Sequence, residues 1–453
     1  MVEQPDLVVI GMGVGGEEVA GRAAEAGMRV LGIEHRLVGG ECPYWGCIPS
    51  KMMVRAANTL AETARVGKLA GRATAEPSWA PVAARVRKAT ANWDDQIAVE
   101  RFEGKGGSFL RGQARIVGPR AVEVDGERFE ASRGIVIATG GEPASPPIDG
   151  LDEVGFWTNR EAIEATELPR SMVVLGAGPI GLELAQAFHR FGTEVTLVEV
   201  AEHALPADEP ENGEAIAEVL RDDGMTLRTG VSAKSVRGGK DGGVVVELSD
   251  GTVVEGERLL VATGRRSDLR SLGVDAAGLD PDAKAVAVDE HLRAAPGVWS
   301  VGDVTGKGGF THLAVYQGRI AAADVLGRDH QPADYSAVPR VTFTDPEVAS
   351  VGLTEAQARE LGHHVHTGVA TTASSARGWI HGPGAEHGVA KLVADADQGV
   401  LLGGSVMGPS AGEVVGLLVL AIRQRVPVAA LRELIYPYPT FVRGLEDALR
   451  QLV

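Results

Sequence analysis

Residues 7–16 read Leu-Val-Val-Ile-Gly-Met-Gly-Val-Gly-Gly, and residues 172–181 read Met-Val-Val-Leu-Gly-Ala-Gly-Pro-Ile-Gly. Each is an apolar run long enough for a buried strand, followed at once by G-x-G-x-x-G. A helix-forming stretch comes next, Glu17 to Ala26 in the first copy and on to about Phe191 in the second. A second apolar strand then ends at an acid, Glu34 after Arg29 to Ile33 and Glu199 after Glu194 to Val198. A lone glycine motif is weak, but a strand before it, a helix after it and an acid about 20 residues on are what dinucleotide binding requires. Gly11, Gly13 and Gly16, and likewise Gly176, Gly178 and Gly181, let the backbone approach a pyrophosphate at the positive end of a helix. Glu34 and Glu199 are placed to accept from ribose hydroxyls. An acid at 199 repels a 2′-phosphate and no Arg follows it through Ala207, which favours NADH over NADPH at the second site.

Working outward, each copy later has an apolar strand stopping at the same tripeptide, Ala138-Thr139-Gly140 and Ala262-Thr263-Gly264. Thr139, Gly140 and Gly264 are assigned to cofactor contacts. The first copy is the longer, its excess falling on a helical stretch from about Pro49 to Glu100. Pro143 to Pro147 with Asp149-Gly150 reads as a crossover. From Val338, strands (Val341 to Phe343, Val389 to Val393, Leu401 to Val406) alternate with helical patterns (Thr354 to Leu361, Glu413 to Arg425). The expected class is α/β, with two nested Rossmann-like dinucleotide-binding domains and a C-terminal α+β dimerisation domain. The expected boundaries are 1–150 and 267–337 for the two parts of the first domain, 151–266 for the second and 338–453 for the third.

Composition agrees with an ordinary globular chain of 453 residues, with 44% hydrophobic residues and enough length for several domains. Acidic residues number 61 against 44 basic, a net charge of −17, which repels phosphate backbones and anionic lipid. Neither nucleic acid nor a membrane is expected as a partner. The most apolar stretch, Val414 to Ile422, is far shorter than a membrane span. The N-terminal residues lead straight into a strand rather than a secretion signal, so a cytoplasmic protein is expected. His363, His364 and His366 read as solvated surface and His312 stays unassigned, so no metal site is expected.

The two cysteines, Cys42 and Cys47, are near neighbours in Gly39-Gly-Glu-Cys42-Pro-Tyr-Trp-Gly-Cys47-Ile-Pro-Ser-Lys51. A bridge closing so short a loop adds little stability, which points to redox chemistry. A helical pattern beginning just after Cys47 would favour its thiolate. This segment resembles the redox-active disulfide of the FAD-dependent pyridine nucleotide-disulfide oxidoreductases, G-G-T-C-x-N-x-G-C-[IV]-P-[ST]-K. The resemblance extends over essentially the whole chain. It includes the second fingerprint, the flavin-contacting Gly302-Asp303, and Phe343-Thr-Asp-Pro-Glu-Val-Ala-Ser-Val-Gly352 at the start of a dimerisation domain. It implies bound FAD, a homodimer, Cys47 as the flavin-proximal sulfur and Cys42 as the sulfur that exchanges with substrate. It also implies that Lys51 and Glu183 pair beside the flavin.

The C-terminal segment departs from the disulfide-reducing members, whose H-P-T-x-x-E supplies a His/Glu acid-base pair. Here the residues are Tyr438-Pro-Thr440-Phe-Val-Arg443. A phenol ordinarily titrates near 10 and an imidazole near 6.5, so Tyr438 is a hydrogen-bond donor rather than a base. The stretch from Ile435 to Leu445 resembles mercuric reductases, which also carry Tyr there. Those enzymes end in a vicinal cysteine pair, whereas this sequence ends Arg450-Gln-Leu-Val453. The leading expectation is electron transfer from NAD(P)H through FAD and the cysteines to a small disulfide or thiol-bound metal acceptor. Alternatives are direct quinone or oxygen reduction by the flavin, mercuric reductase or dihydrolipoyl dehydrogenase proper, and a non-enzymatic redox-responsive flavoprotein.

Overall fold

The computed structural model describes residues 4–452. The chain forms two compact units, each assembled from separated stretches. One takes the chain up to Pro49 and adds Val86–Ala144 and Arg265–Tyr335; the other comprises Ser50–Arg85, Ser145–Gly264 and the chain from Ser336 onward.

The first unit is built on a six-stranded sheet in the order Arg293–Ala295, Val298–Ser300, Gly134–Ile137, Leu7–Ile10, Val30–Glu34, Ser108–Arg111. All neighbours are parallel except the Arg293–Ala295 edge. Successive side chains of Leu7–Ile10 point to opposite faces, as a strand dictates. Leu7 and Val9 pack with Val19, Ala23, Phe102 and Ile320 of the helical layer. Val8 and Ile10 pack with Ile116, Val122 and Phe129 from a small three-stranded sheet on the other side. Burial on both faces is why the strand reads as an uninterrupted apolar run.

In the second unit, a parallel sheet runs Thr226–Arg228, Glu194–Val198, Ser171–Leu175, Arg258–Val261. An antiparallel three-stranded sheet covers it, and their shared core includes Val173, Leu175, Val246 and Leu259. The same unit holds a five-stranded antiparallel sheet in the order Pro339–Thr342, Glu347–Gly352, Val400–Gly408, Val389–Asp395, Val365–Thr371. Helices Ala411–Arg423 and Leu445–Leu449 pack on that sheet through Val415, Leu418, Ala448 and Leu449. The strands and helices expected after Val338 are therefore present, with ends shifted by a few residues.

Candidate active site

The two glycine loops repeat one another in detail. Gly11 (φ +90°) and Gly176 (φ +101°) adopt backbone conformations that favour glycine. A Cβ on Gly11 would collide with the Ala138 carbonyl oxygen, and one on Gly176 would lie 2.6 Å from that of Ala262. The third glycines are as crowded: a Cβ on Gly16 would overlap the Gly11 carbonyl oxygen, and one on Gly181 that of Gly176. The middle glycines differ. Gly13 (φ −69°) and Gly178 (φ −78°) have backbone angles open to any residue. A Cβ on Gly13 would meet nothing nearer than 3.9 Å, and one on Gly178 nothing within 4 Å. Neither conformation nor packing demands glycine there, whereas a ligand pressed against the backbone does. Both are N-cap residues without a side-chain cap bond, at the starts of helices Val14–Glu25 and Pro179–Arg190. These cradles fit dinucleotides.

The two acids are equally alike. Glu34 is buried and accepts from the Met12 amide at 2.9 Å and the Arg36 amide at 2.8 Å. Glu199 is buried and accepts from the Ala177 amide at 2.7 Å and the Ala201 amide at 2.9 Å. Each carboxylate thus ties the end of the second strand to the residue between the first two glycines. Burial pushes the Glu34 carboxyl up, but hydrogen bonds from His35, Arg36 and Met12 outweigh it and hold it below the usual range. Both acids therefore position the glycine loop.

Cys42 sits half-buried in the short helix Glu41–Tyr44, and Cys47 is the exposed first residue of helix Cys47–Leu69. That helix end favours a thiolate. Cys47 Sγ lies 3.3 Å from Thr311 Oγ1 at the start of helix Thr311–Val325. In the same unit, Arg265 faces two acids, Glu41 Oε2 at 3.6 Å and Asp303 Oδ2 at 3.8 Å, and donates to the Gly141 carbonyl. Its Nε is buried without a hydrogen-bond partner. Burial raises the Asp303 carboxyl pKa, and Arg265 opposes that rise. Gly302 (φ +83°) donates to Oε1 of the wholly buried Gln317 at 2.7 Å, which fixes the turn that presents Asp303. Thr139 is exposed, and Gly140 (φ +64°) turns the chain directly after it. Gly264 (φ +132°) is exposed at the corresponding turn of the second copy. His312 stacks on Phe310 at 5.3 Å between ring centroids.

Within the second unit, Lys51 Nζ donates to Glu183 Oε2 at 2.7 Å, and Glu183 Oε1 accepts from the Phe343 amide at 2.9 Å. The ammonium also lies over the Phe343 ring, 4.7 Å from its centroid. The loop bearing Phe343 is pinned to the helix that carries Glu183. Gln186 accepts from the Asp345 amide at 2.8 Å, and Arg190 donates to Asp345 Oδ2 at 3.0 Å and to Asn58 at 2.9 Å. Tyr438 stands apart from this group. It is exposed, precedes a cis peptide to Pro439, and carries the Arg443 guanidinium 5.2 Å above its ring. Sequence reading missed Thr311, Arg265 and Gln317, and placed Phe343 only at the start of a dimerisation domain, without its contact to Lys51 and Glu183. Of these, Arg265 was signalled by its place directly after the second Ala-Thr-Gly.

Twin dinucleotide cradles and a cysteine pair at a helix start define an oxidoreductase that works with two nucleotide cofactors. Residues 5–318 match the family described as pyridine nucleotide-disulphide oxidoreductase, and residues 338–449 match its dimerisation domain. The chain belongs to the pyridine nucleotide-disulphide oxidoreductase family and is an FAD-containing, NAD(P)H-dependent disulfide oxidoreductase. It is 35% identical over 452 residues to mercuric reductase of Bacillus cereus, spanning 98% of this chain and 71% of that protein. It is 36% identical over 462 residues to dihydrolipoyl dehydrogenase of Thermus scotoductus, covering 99% and 97% of the two chains. Among solved structures, the HOCl-induced flavoprotein disulfide reductase RclA of Escherichia coli superposes with a TM-score of 0.84 at 27% identity, covering 98% of this chain and 99% of that one. LpdA of Mycobacterium tuberculosis gives a TM-score of 0.84 at 27% identity, covering 99% of both. No helix among the described residues is long and apolar enough to cross a membrane.

Proposed function

We propose that this chain is a cytoplasmic homodimeric reductase that uses NADH, FAD and the Cys42/Cys47 pair to reduce a small disulfide or a thiol-bound metal ion. The observation that carries this reading is Cys47 as the first residue of a 23-residue helix, with Cys42 a short turn before it. In this reading the domains are those expected from the sequence. Gly11, Gly13, Gly16, Glu34, Thr139, Gly140, Gly302 and Asp303 hold FAD, and Gly176, Gly178, Gly181, Glu199 and Gly264 hold NADH. FAD, when bound, supplies two-electron exchange between a nicotinamide and a disulfide. NADH and one proton then convert the cystine to a dithiol, with release of NAD+. On a disulfide acceptor, the Cys42 thiolate attacks one sulfur and expels the other as a thiol, and Cys47, favoured as a thiolate by its helix, then attacks Cys42 Sγ, releasing the second thiol and re-forming the cystine. The Lys51 ammonium, held by Glu183, is suited to stabilise negative charge developing in the reduced state. Tyr438 donates a hydrogen bond at the acceptor side and is contributed across the dimer.

Glu199 supports NADH, because its carboxylate would face a 2′-phosphate and Glu202 follows close by, 3.3 Å from the Cβ position of Gly230. Relatives named mercuric reductase and a copper(II) complex of RclA support a thiophilic metal among the acceptors. The test is an anaerobic titration of the flavoprotein with NADH, repeated with Cys42→Ser. Uptake of two equivalents per flavin, with a long-wavelength thiolate-to-flavin band after the first, is expected, with one equivalent in the variant. One equivalent with immediate bleaching in both proteins would sink the cysteine relay and favour quinone or oxygen as acceptor. Faster turnover with NADPH than with NADH would overturn the nucleotide assignment.

A further inference from the structure

Away from the nucleotide cradles, the first unit brings His291, Asp324 and His330 together, with one ligand atom from each lying within 4.8 Å of the others. His291 stands in a tight turn where Asp289 accepts from the backbone amides of His291 and Arg293, each at 2.9 Å. His330 follows helix Thr311–Val325, and the Ala333 amide donates to the Glu290 carbonyl at 2.7 Å, tying that segment to the His291 turn. The imidazoles meet edge to face, 5.0 Å between centroids.

Three features single out this cluster. His330 Nδ1 is 3.0 Å from the Gln331 carbonyl oxygen. A carbonyl only accepts, so the ring proton belongs on Nδ1 and Nε2 is left facing Asp324 Oδ1 at 3.3 Å. Two lone pairs that close need a cation between them, either a proton or a metal ion. His291 Nδ1 is buried and has no hydrogen-bond partner. The Asp324 carboxylate is oriented from behind by Trp299 Nε1 at 2.7 Å and by the Arg293 guanidinium, the kind of outer support that fixes a ligating carboxylate.

We propose that His291, Asp324 and His330 form a binding site for a divalent transition-metal ion of the zinc and copper class. Two imidazoles with one carboxylate suit such ions, and water completes the coordination. Metal–nitrogen distances of about 2.0–2.1 Å require the ligand atoms to close by roughly 1–1.5 Å, a rotamer adjustment for two histidines that lie outside helices and strands. The ion takes the place of the proton between His330 Nε2 and Asp324 Oδ1.

The experiment is calorimetric titration of Zn2+ into the FAD-loaded Cys42→Ser/Cys47→Ser protein, which removes thiolate binding. One equivalent is expected, with affinity falling at least tenfold in each of His291→Gln and His330→Gln added to that background. Asp324 is left intact because it holds Arg293 and Trp299. Absence of saturable binding, or unchanged affinity in both histidine variants, would overturn the proposal. Zinc K-edge absorption on the Cys42→Ser/Cys47→Ser protein gives a readout that does not depend on the histidine variants folding. Two imidazole nitrogens bound to the zinc are expected, and one or none overturns the site.

Discussion

At the residue scale, the middle and third glycines of a fingerprint do different work, and substitution separates them. A Cβ at 178 enters open space at an extended N-cap position. Gly178→Ala should therefore shift unfolding free energy by no more than about 1 kcal/mol, with thermal unfolding as the check. It should nevertheless raise KM for the nicotinamide cofactor at least about tenfold, because the methyl occupies pyrophosphate space. Gly181→Ala puts a methyl against the Gly176 carbonyl oxygen. It should destabilise the unmixed apoprotein and holoprotein alike, by roughly 1–3 kcal/mol in denaturant titrations. Both glycines were legible in the sequence as one motif, but their separate reasons were not. Those depend on how the loop closes, with the Gly176 carbonyl oxygen against the Cβ position of Gly181 and nothing within 4 Å of that of Gly178. Periodicity shows that a strand ends at Ala-Thr-Gly, and only the fold shows that the Ala262 carbonyl oxygen lies 2.6 Å from the Cβ position of Gly176.

At the element scale, the nucleotide-binding part of the second unit is joined to the five-stranded sheet by a buried ammonium. Lys391, on strand Val389–Asp395, is 5% exposed and meets Glu209 at 3.0 Å, Glu211 at 2.8 Å and Glu355 at 2.9 Å. These acids begin helices Pro210–Asp222 and Glu355–Glu360, where negative charge also suits the helix dipole. Removing the cation leaves three carboxylates facing one another, so Lys391→Met should cost about 3–5 kcal/mol in equilibrium unfolding at neutral pH. The pH dependence has a definite sign. Hydrogen bonds from Lys391 and Arg359 hold the Glu355 carboxyl low, so its contribution is present above about 4.3 and is lost as pH falls through the folded value. Burial disfavours the Lys391 ammonium, but its three carboxylates outweigh this and raise its pKa. Its contribution is complete below about 10.4 and is lost as pH rises through the folded value. Calorimetric melting should thus show a plateau from about pH 5 to 10, with a shallower acid limb in Lys391→Met. The strand was readable as an apolar stretch, but the cluster was not, since its members are scattered from residue 209 to residue 391.

At the scale of the whole molecule, the second unit leaves large apolar side chains in water. Ile435 is 100% exposed, Trp379 81% and Tyr438 69%. Such exposure on a family dimerisation domain is what a partner copy would cover. Sedimentation should give about twice the chain mass of 47.2 kDa, and Ile435→Asp with Trp379→Asp should shift it towards the monomer and reduce turnover in parallel. A monomer in the parent protein at micromolar concentration would contradict the homodimer. The sequence made the C-terminal sheet legible through proline-bounded strands, but a surface whose complement is a second copy leaves no periodic trace within one chain.

The interleaving of the two units also has a consequence during synthesis. Strand Gly134–Ile137 receives its outer neighbour from Val298–Ser300, which is about 160 residues downstream and takes on the order of 10–30 s to translate. Until then the nascent chain carries an unpaired strand edge, the kind of surface that invites sticking to other chains. Helix Thr311–Val325, whose Ile320 and Ala321 complete the core around Leu7 and Val9, arrives later still. The domain whose sequence starts first is therefore among the last to be completed.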